Sequence, residues 1–187
     1  MGYDLLAAIG FVIMTPLVVL GFIAFWWITN NERRVLEDEW RSFADKRHRD
    51  YEPAEGEWPN RTSPAVSWVN DGVRYRLESR GKEADVLTRL VAWPDVKVLG
   101  VVQVKVDDGK IGFTRVRVAQ RLLTHEVRRR LLGFSQGQPI AFSFRRGRLL
   151  IEWEGREMND ARIDEAEQVL AIAVHALRDA FVNAAAA

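Results

Sequence analysis

The run LLAAIGFVIMTPLVVLGFIAFWWI, residues 5–28, contains no charged side chain, and none separates it from Glu32. A helix rises ~1.5 Å per residue, so a run of this length matches a hydrocarbon core ~30 Å thick. Pro16 sits in mid-run, where it would break a soluble helix but is tolerated in a membrane one. Tyr3 flanks one end and Trp26 and Trp27 the other, as suits rings that prefer the headgroup layer. The start, MGYD, has no basic residue, and the exit is bulky where a signal peptide needs small residues. The run therefore reads as an uncleaved, single-pass transmembrane helix.

Flanking charge orients it. No Lys or Arg precedes the run, whereas Arg33, Arg34, Arg41, Lys46, Arg47 and Arg49 follow within about twenty residues. Basic residues resist translocation, so the expected topology in a cell (inner) membrane is N-terminus out with the C-terminal domain cytoplasmic. The sequon at Asn60 would then be unused. The anchor residues expected at the interface are Tyr3, Trp26, Trp27, Arg33 and Arg34.

The rest of the chain divides by composition. Residues 1–4 form a short tail and 5–28 the span; 29–64 form a juxtamembrane helix and Pro-containing linker. Residues 65–183 are expected to be one α+β domain, and 184–187 a frayed alanine tail. In the connector, Leu36, Trp40 and Phe43 recur at helical spacing. They fit either a helix that pairs with a second copy or lies on the bilayer, or a solvated continuation of the anchor tucked onto the domain; the second is favoured. Pro53, Pro59 and Pro64 predict an extended spacer.

Three hairpins can be placed to the residue. Asp71-Gly72 is favoured two-residue turn chemistry and sets Trp68 opposite Tyr75 and Val66 opposite Leu77. A turn at Asp108-Gly109 sets Val106 against Ile111 and Val104 against Phe113, with a bulge expected near Thr114 because Val116 and Val118 fall out of phase. A turn through Arg145–Arg148 sets Phe144 against Leu149, Phe142 against Ile151 and Ile140 against Trp153. VLTRLVAW is a further strand. QRLLTHEVRRRLL, residues 120–132, reads as a helix stopped at Gly133, and Ile163 to Phe181 trace the apolar stripe of a last helix. The expected architecture is a two-layer α+β sandwich in which two helices cover one face of an antiparallel sheet of about five to seven strands.

Catalytic chemistry has few footholds. There is no cysteine, which removes thiolate metal sites and a cysteine nucleophile. His48, His125 and His175 show no metal spacing; His125-Glu126 opens like a zinc-protease helix, but Arg129 stands where the second His is needed. Glu152 and Glu154 share a strand face, yet it is the solvent side. No phosphate-binding glycine loop is present, and no cofactor is expected.

Charge segregation stands out instead. Residues 115–148 hold Arg115, Arg117, Arg121, Arg128, Arg129, Arg130, Arg145, Arg146 and Arg148 against Glu126 alone, a net of +8, while 150–187 carry −5. Three readings compete for these arginines: pairing with the acidic last helix, facing anionic lipid or an acidic protein partner, or binding nucleic acid, which no recognition motif supports. The leading expectation is a non-enzymatic, membrane-tethered cytoplasmic module whose Arg-rich face binds an acidic partner or the anionic bilayer surface, with a protein partner or a second copy engaged through the anchor or juxtamembrane helix. The rival is a small enzyme or ligand-binding domain with a pocket between sheet and helices.

VNDGVRYRLESRG, VLTRL, FTRVRV, LLTHEVRRRLLGF and FRRGRLLIEWEG, followed by a final apolar helix, together resemble an uncharacterised bacterial family of single-pass membrane-anchored proteins with a small α+β domain. The resemblance covers roughly residues 66–182. It implies a fold and a membrane context, without a catalytic motif.

Overall fold

The computed structural model describes residues 2–56, 62–80, 86–96, 100–107, 109–113, 117–136, 138–155 and 159–181, with side chains from residue 14 onward except at positions 29, 32, 33, 113 and 117. Helix α1 runs unbroken from Gly2 to Lys46, with Pro16 inside it. It stops in a reversal where Arg49 N–H reaches Ala44 O at 2.9 Å and His48 N–H reaches Asp45 O at 3.2 Å. His48 takes the left-handed backbone there, φ 52°, a place more often given to glycine.

The sheet follows. Strands β1 (Asp50–Glu52), β2 (Ala65–Asn70), β3 (Val73–Arg80), β4 (Leu87–Trp93), β5 (Val101–Asp107), β6 (Lys110–Phe113), β7 (Ile140–Arg145) and β8 (Arg148–Glu154) are ordered β1-β2-β3-β4-β8-β7-β5-β6. Every neighbouring pair is antiparallel. All three expected hairpin registers are present: Trp68 faces Tyr75, Val104 faces Phe113, and Ile140 faces Trp153.

Four corrections follow. The sheet has eight strands, because Asp50–Glu52 pairs with β2 where an extended linker was expected. A three-residue edge strand is too short to show alternation in sequence. Residues 117–118 belong to a helix, so β6 ends by Phe113 and Val118 does not extend the hairpin; the expected bulge at Thr114 falls outside the described residues. The single helix over 120–132 is two: α2 (Arg117–Leu122) and α3 (His125–Phe134). Thr124 separates them by capping α3, its hydroxyl accepting from Val127 N–H at 3.3 Å. Finally, Gly133 lies inside α3, which ends against Ser135 rather than at the glycine.

Helix α4 (Asp160–Phe181) buries Ile163, Ala166, Val169, Leu170, Ala173, Val174 and Leu177, the stripe its 3.6-residue spacing demands. It lies over β4 and β8, with α2 and α3 beside it toward β5 and β6, and the end of α1 toward β1 and β2. One core joins all of these: Trp40 and Phe43 of α1 belong to the same cluster as Tyr75, Leu90, Phe134, Phe142 and Trp153. The connector is thus a continuation of α1 docked on the domain, and the folded unit begins near Trp40 rather than at residue 65.

Candidate interaction surface and anchor

Residues 14–28 of α1 are exposed without exception, and they include Met14, Leu17, Val18, Leu20, Phe22, Ile23, Phe25, Trp26, Trp27 and Ile28. No polar stripe divides them. Of the run at 5–28, the side chains of 5–13 lie outside the described residues, as does Tyr3. The fifteen residues of the run whose side chains are described span only ~22 Å, and among the described residues no helix is long and apolar enough to cross a membrane. Trp26, Trp27 and Arg34 are exposed, and the side chain of Arg33 is not described.

Where α1 meets the domain, ion pairs run in step along two chain segments. Lys46 Nζ reaches Asp160 at 2.6 Å, Arg47 meets Asp160 at 3.3 Å and grips Asp164, and Arg49 meets Glu167 at 3.1 Å. Helix α1 therefore enters alongside the first turns of α4. The Asp164 carboxylate raises the Arg47 guanidinium above its ordinary pKa. Arg49, two residues on, moves the other way because burial penalises its charge, with Glu167 opposing. Lys46 holds the Asp160 carboxyl below its usual value.

These contacts bear on the arginine cluster. The acidic start of α4 is taken by Lys46 at the end of α1 and by Arg47 and Arg49 just after it. Arg129 and Arg130 instead clasp Glu126, at 2.7 and 3.0 Å, with the Arg129 hydrogen bond foremost in holding the Glu126 carboxyl down at about 2. Arg128 Nε donates to Leu123 O at 2.9 Å, and Arg121 lies over the Phe181 ring. Arg115 and the side chain of Arg117 lie outside the described residues.

Arg145, Arg146 and Arg148 are exposed at the β7–β8 turn. Cross-strand register sets Val69, Arg74 and Trp93 in line, and Arg148, Arg145 and Val101 in line, on the sheet face away from the helices; the Arg148 guanidinium over Trp93 joins the two into one row. Trp93 has the Arg74 guanidinium 5.7 Å and the Arg148 guanidinium 5.6 Å from its ring centroid. Sequence reading missed both Arg74 and Trp93. The register of the first hairpin did place Arg74 opposite Val69 on this face, which was the available signal.

The neighbouring rows of that face are internally neutralised. Glu52 takes Arg76 at 2.6 Å, Arg76 takes Glu78 at 3.2 Å, Glu78 takes Arg89 at 3.2 Å, and Arg89 takes Glu152 at 3.3 Å. Glu152 is thereby committed to an ion pair, and Glu154, exposed at the end of β8, is no part of a paired acid–base site. His48, His125 and His175 are exposed, and no metal-holding group of residues occurs among the described residues. Among the described residues two shallow depressions are found. One runs along Val35, Asp38, Glu39, Ser42 and Phe43, and the other lies on the open sheet face between Gln103 and Glu152. Neither lies between the sheet and the helices.

The architecture is that of an α+β protein whose antiparallel sheet is covered on one face by helices. No family model matches the sequence, and no curated protein is similar to it. Among solved structures, the crystal structure of the mycobacterial trehalose monomycolate transport factor A, TtfA, aligns with a TM-score of 0.54, covering 78% of this chain and 96% of that one at 16% identity. At that identity the likeness is one of fold.

Proposed function

We propose that the chain is a membrane-tethered, non-enzymatic interaction module: an N-terminal helix anchors it in the bilayer and stiffly carries a cytoplasmic domain that binds an acidic partner. The observation that supports the tether is the uniform exposure of apolar side chains from Met14 to Ile28. A helix that docks on another protein surface hides one stripe and solvates the rest, whereas one apolar on every side needs an apolar surrounding on every side. Together with residues 5–13 of the sequence the run is long enough for a bilayer. The basic residues that follow favour the cytoplasmic side for the domain, next to the inner leaflet.

Fractionation tests the tether. The full chain stays with membranes through alkaline carbonate washing, and Val19→Lys/Leu20→Asp releases it; recovery of the unaltered chain in the soluble fraction would overturn the reading. Reporter fusions at each end test the orientation, which an extracytoplasmic C-terminus would reverse.

A second reading comes from the fold match. TtfA is a trehalose monomycolate transport factor, and a shared fold covering nearly all of that chain favours a role for this protein as an accessory in glycolipid transport. Unchanged surface glycolipids in a strain lacking the protein would end this reading.

A further inference from the structure

Resting on the tethered-module reading, we propose that the Arg74–Trp93–Arg148–Arg145 row, with Arg146 at its tip, is the docking surface, and that its occupant is an acidic polypeptide segment of a partner protein.

Four observations carry this. Arg145 and Arg148 are direct cross-strand partners, and like charges opposed in this way destabilise a hairpin. Among the described residues neither has a carboxylate partner, and neither does Arg146; Asp95, close by in sequence, makes no ion pair with them. Arg146 also adopts φ 52°, followed by Gly147 at φ 71°, a turn in which Asn or Gly would be the easier choice at the first position. Three arginines are therefore kept together at a cost in stability that a bound anion would relieve.

The second observation is the stacking. Trp93 has Arg74 as a cross-strand neighbour and the Arg148 guanidinium over its ring; Arg148 keeps its N–H edge free for a carboxylate, while Arg74 also meets Glu52 at 3.7 Å. Third, Val69 and Val101, 70% and 47% exposed, stand at the two ends of the row as apolar shoulders. Trp and Arg, which lie between them, are residues enriched in protein-binding hot spots.

The fourth is location. Helix α1 continues for eighteen residues from Ile28 to Lys46, ~27 Å of helical rise. The domain thus follows the apolar run at more than a screening length of ~8 Å, where lipid of the same bilayer attracts the row little.

The test uses the full chain in discs of neutral phosphatidylcholine, titrated with fluorescent poly-glutamate peptide at low and physiological salt. Incorporation into the discs reports the tether separately from the titration. The peptide binds and changes Trp93 emission, an effect that Trp93→Phe abolishes. Arg145→Gln/Arg148→Gln weakens binding about tenfold or more, as loss of paired charges does, and raises the unfolding temperature by removing the repulsion. Arg146→Asn, suited to its backbone, gives a second folded variant with weaker binding. Arg128→Gln/Arg129→Gln on α3 binds as the unaltered chain does. No binding, equal binding by the β7–β8 variants, or tighter binding of phosphatidylglycerol vesicles or oligo-dT through these same arginines would overturn the proposal.

Discussion

The guanidinium of Arg49 lies over the indole of Trp68, 3.6 Å from the ring centroid, while its Nη2 holds Glu167 at 3.1 Å. The same carboxylate accepts from Trp68 Nε1 at 3.1 Å and Asn70 Nδ2 at 2.8 Å. One acidic residue of α4 thus binds the segment just after α1 and the end of β2 into a single joint. Arg49 and Glu167 are about nine-tenths buried, so the pair is poorly screened.

Removing one partner of a buried pair leaves the other charged and unsatisfied, which costs ~3–5 kcal/mol. Glu167→Ala is therefore expected to lose that much, since Arg49, Trp68 Nε1 and Asn70 all lose their acceptor. Arg49→Met/Glu167→Leu should lose far less, because no orphaned charge remains. Chemical unfolding in detergent, followed by near-ultraviolet circular dichroism, separates the two; equal losses would show that the charges matter only through packing.

Trp40 gives the joint its apolar half. It is 1% exposed and shares the core with strands and α4. Trp40→Ala is expected to destabilise by ~3–5 kcal/mol, the range for emptying a large aromatic site. Hydrogen exchange should show the loss first across residues 36–46, with β3, β4 and β8 still protected. If exchange rises uniformly instead, α1 and the sheet unfold as one unit.

What could be read in the sequence is what local chemistry determines. Asp71-Gly72 and Arg146-Gly147 adopt the positive φ pairs that two-residue hairpin turns require, so each register follows outward from its turn. The stripe of α4 is equally local. The missed features depend on distant residues. Nothing near Asp160, Asp164 or Glu167 shows that they will meet Lys46, Arg47 and Arg49 more than a hundred positions away. Those acids already had a local reason in the helix dipole, and the arginines of 115–148 were the more conspicuous counter-charge. Thr124 was legible as a cap, since Glu126 and Val127 follow it, but the apolar spacing of Leu123, Val127 and Leu131 ran on through the break. Trp93 was taken with its strand, and only the order β3-β4-β8 reveals an arginine on each side.

The β7–β8 turn carries a backbone prediction. Gly147 sits at φ 71°, where a Cβ costs roughly 1–2 kcal/mol whatever the space available. Gly147→Ala should destabilise by about that amount. Arg146→Asn should stabilise slightly, by less than about 1 kcal/mol, because Asn suits the left-handed region. Thermal unfolding of the two variants checks both signs. A stabilised Gly147→Ala would mean that the turn changes type.

Helix α3 depends on its cap. The Thr124 hydroxyl serves Val127 N–H at the break between α2 and α3. Thr124→Ala should cost ~1 kcal/mol, and Thr124→Asp, which also caps, should recover most of it. Failure of Asp to recover stability would mean that the methyl group of Thr124 matters more than its hydroxyl.

Tyr75 sets a pH dependence. Its side chain is 2% exposed, stacked on Trp68 with ring centroids 5.6 Å apart. Burial, and next the negative charge of Glu167, push its phenol up to about 12. The folded protein therefore keeps this proton at pH values where an unfolded chain, with its phenol near ~10, has released it. Stability is unaffected by this group below pH ~10 and then falls as pH rises toward about 12, where the folded state also loses the proton. Absorbance titration should show one late phenol that is absent in Tyr75→Phe, and that variant should lose less stability over the same window. An unaltered titration in Tyr75→Phe would assign the late phenol to another tyrosine and remove the coupling to Glu167.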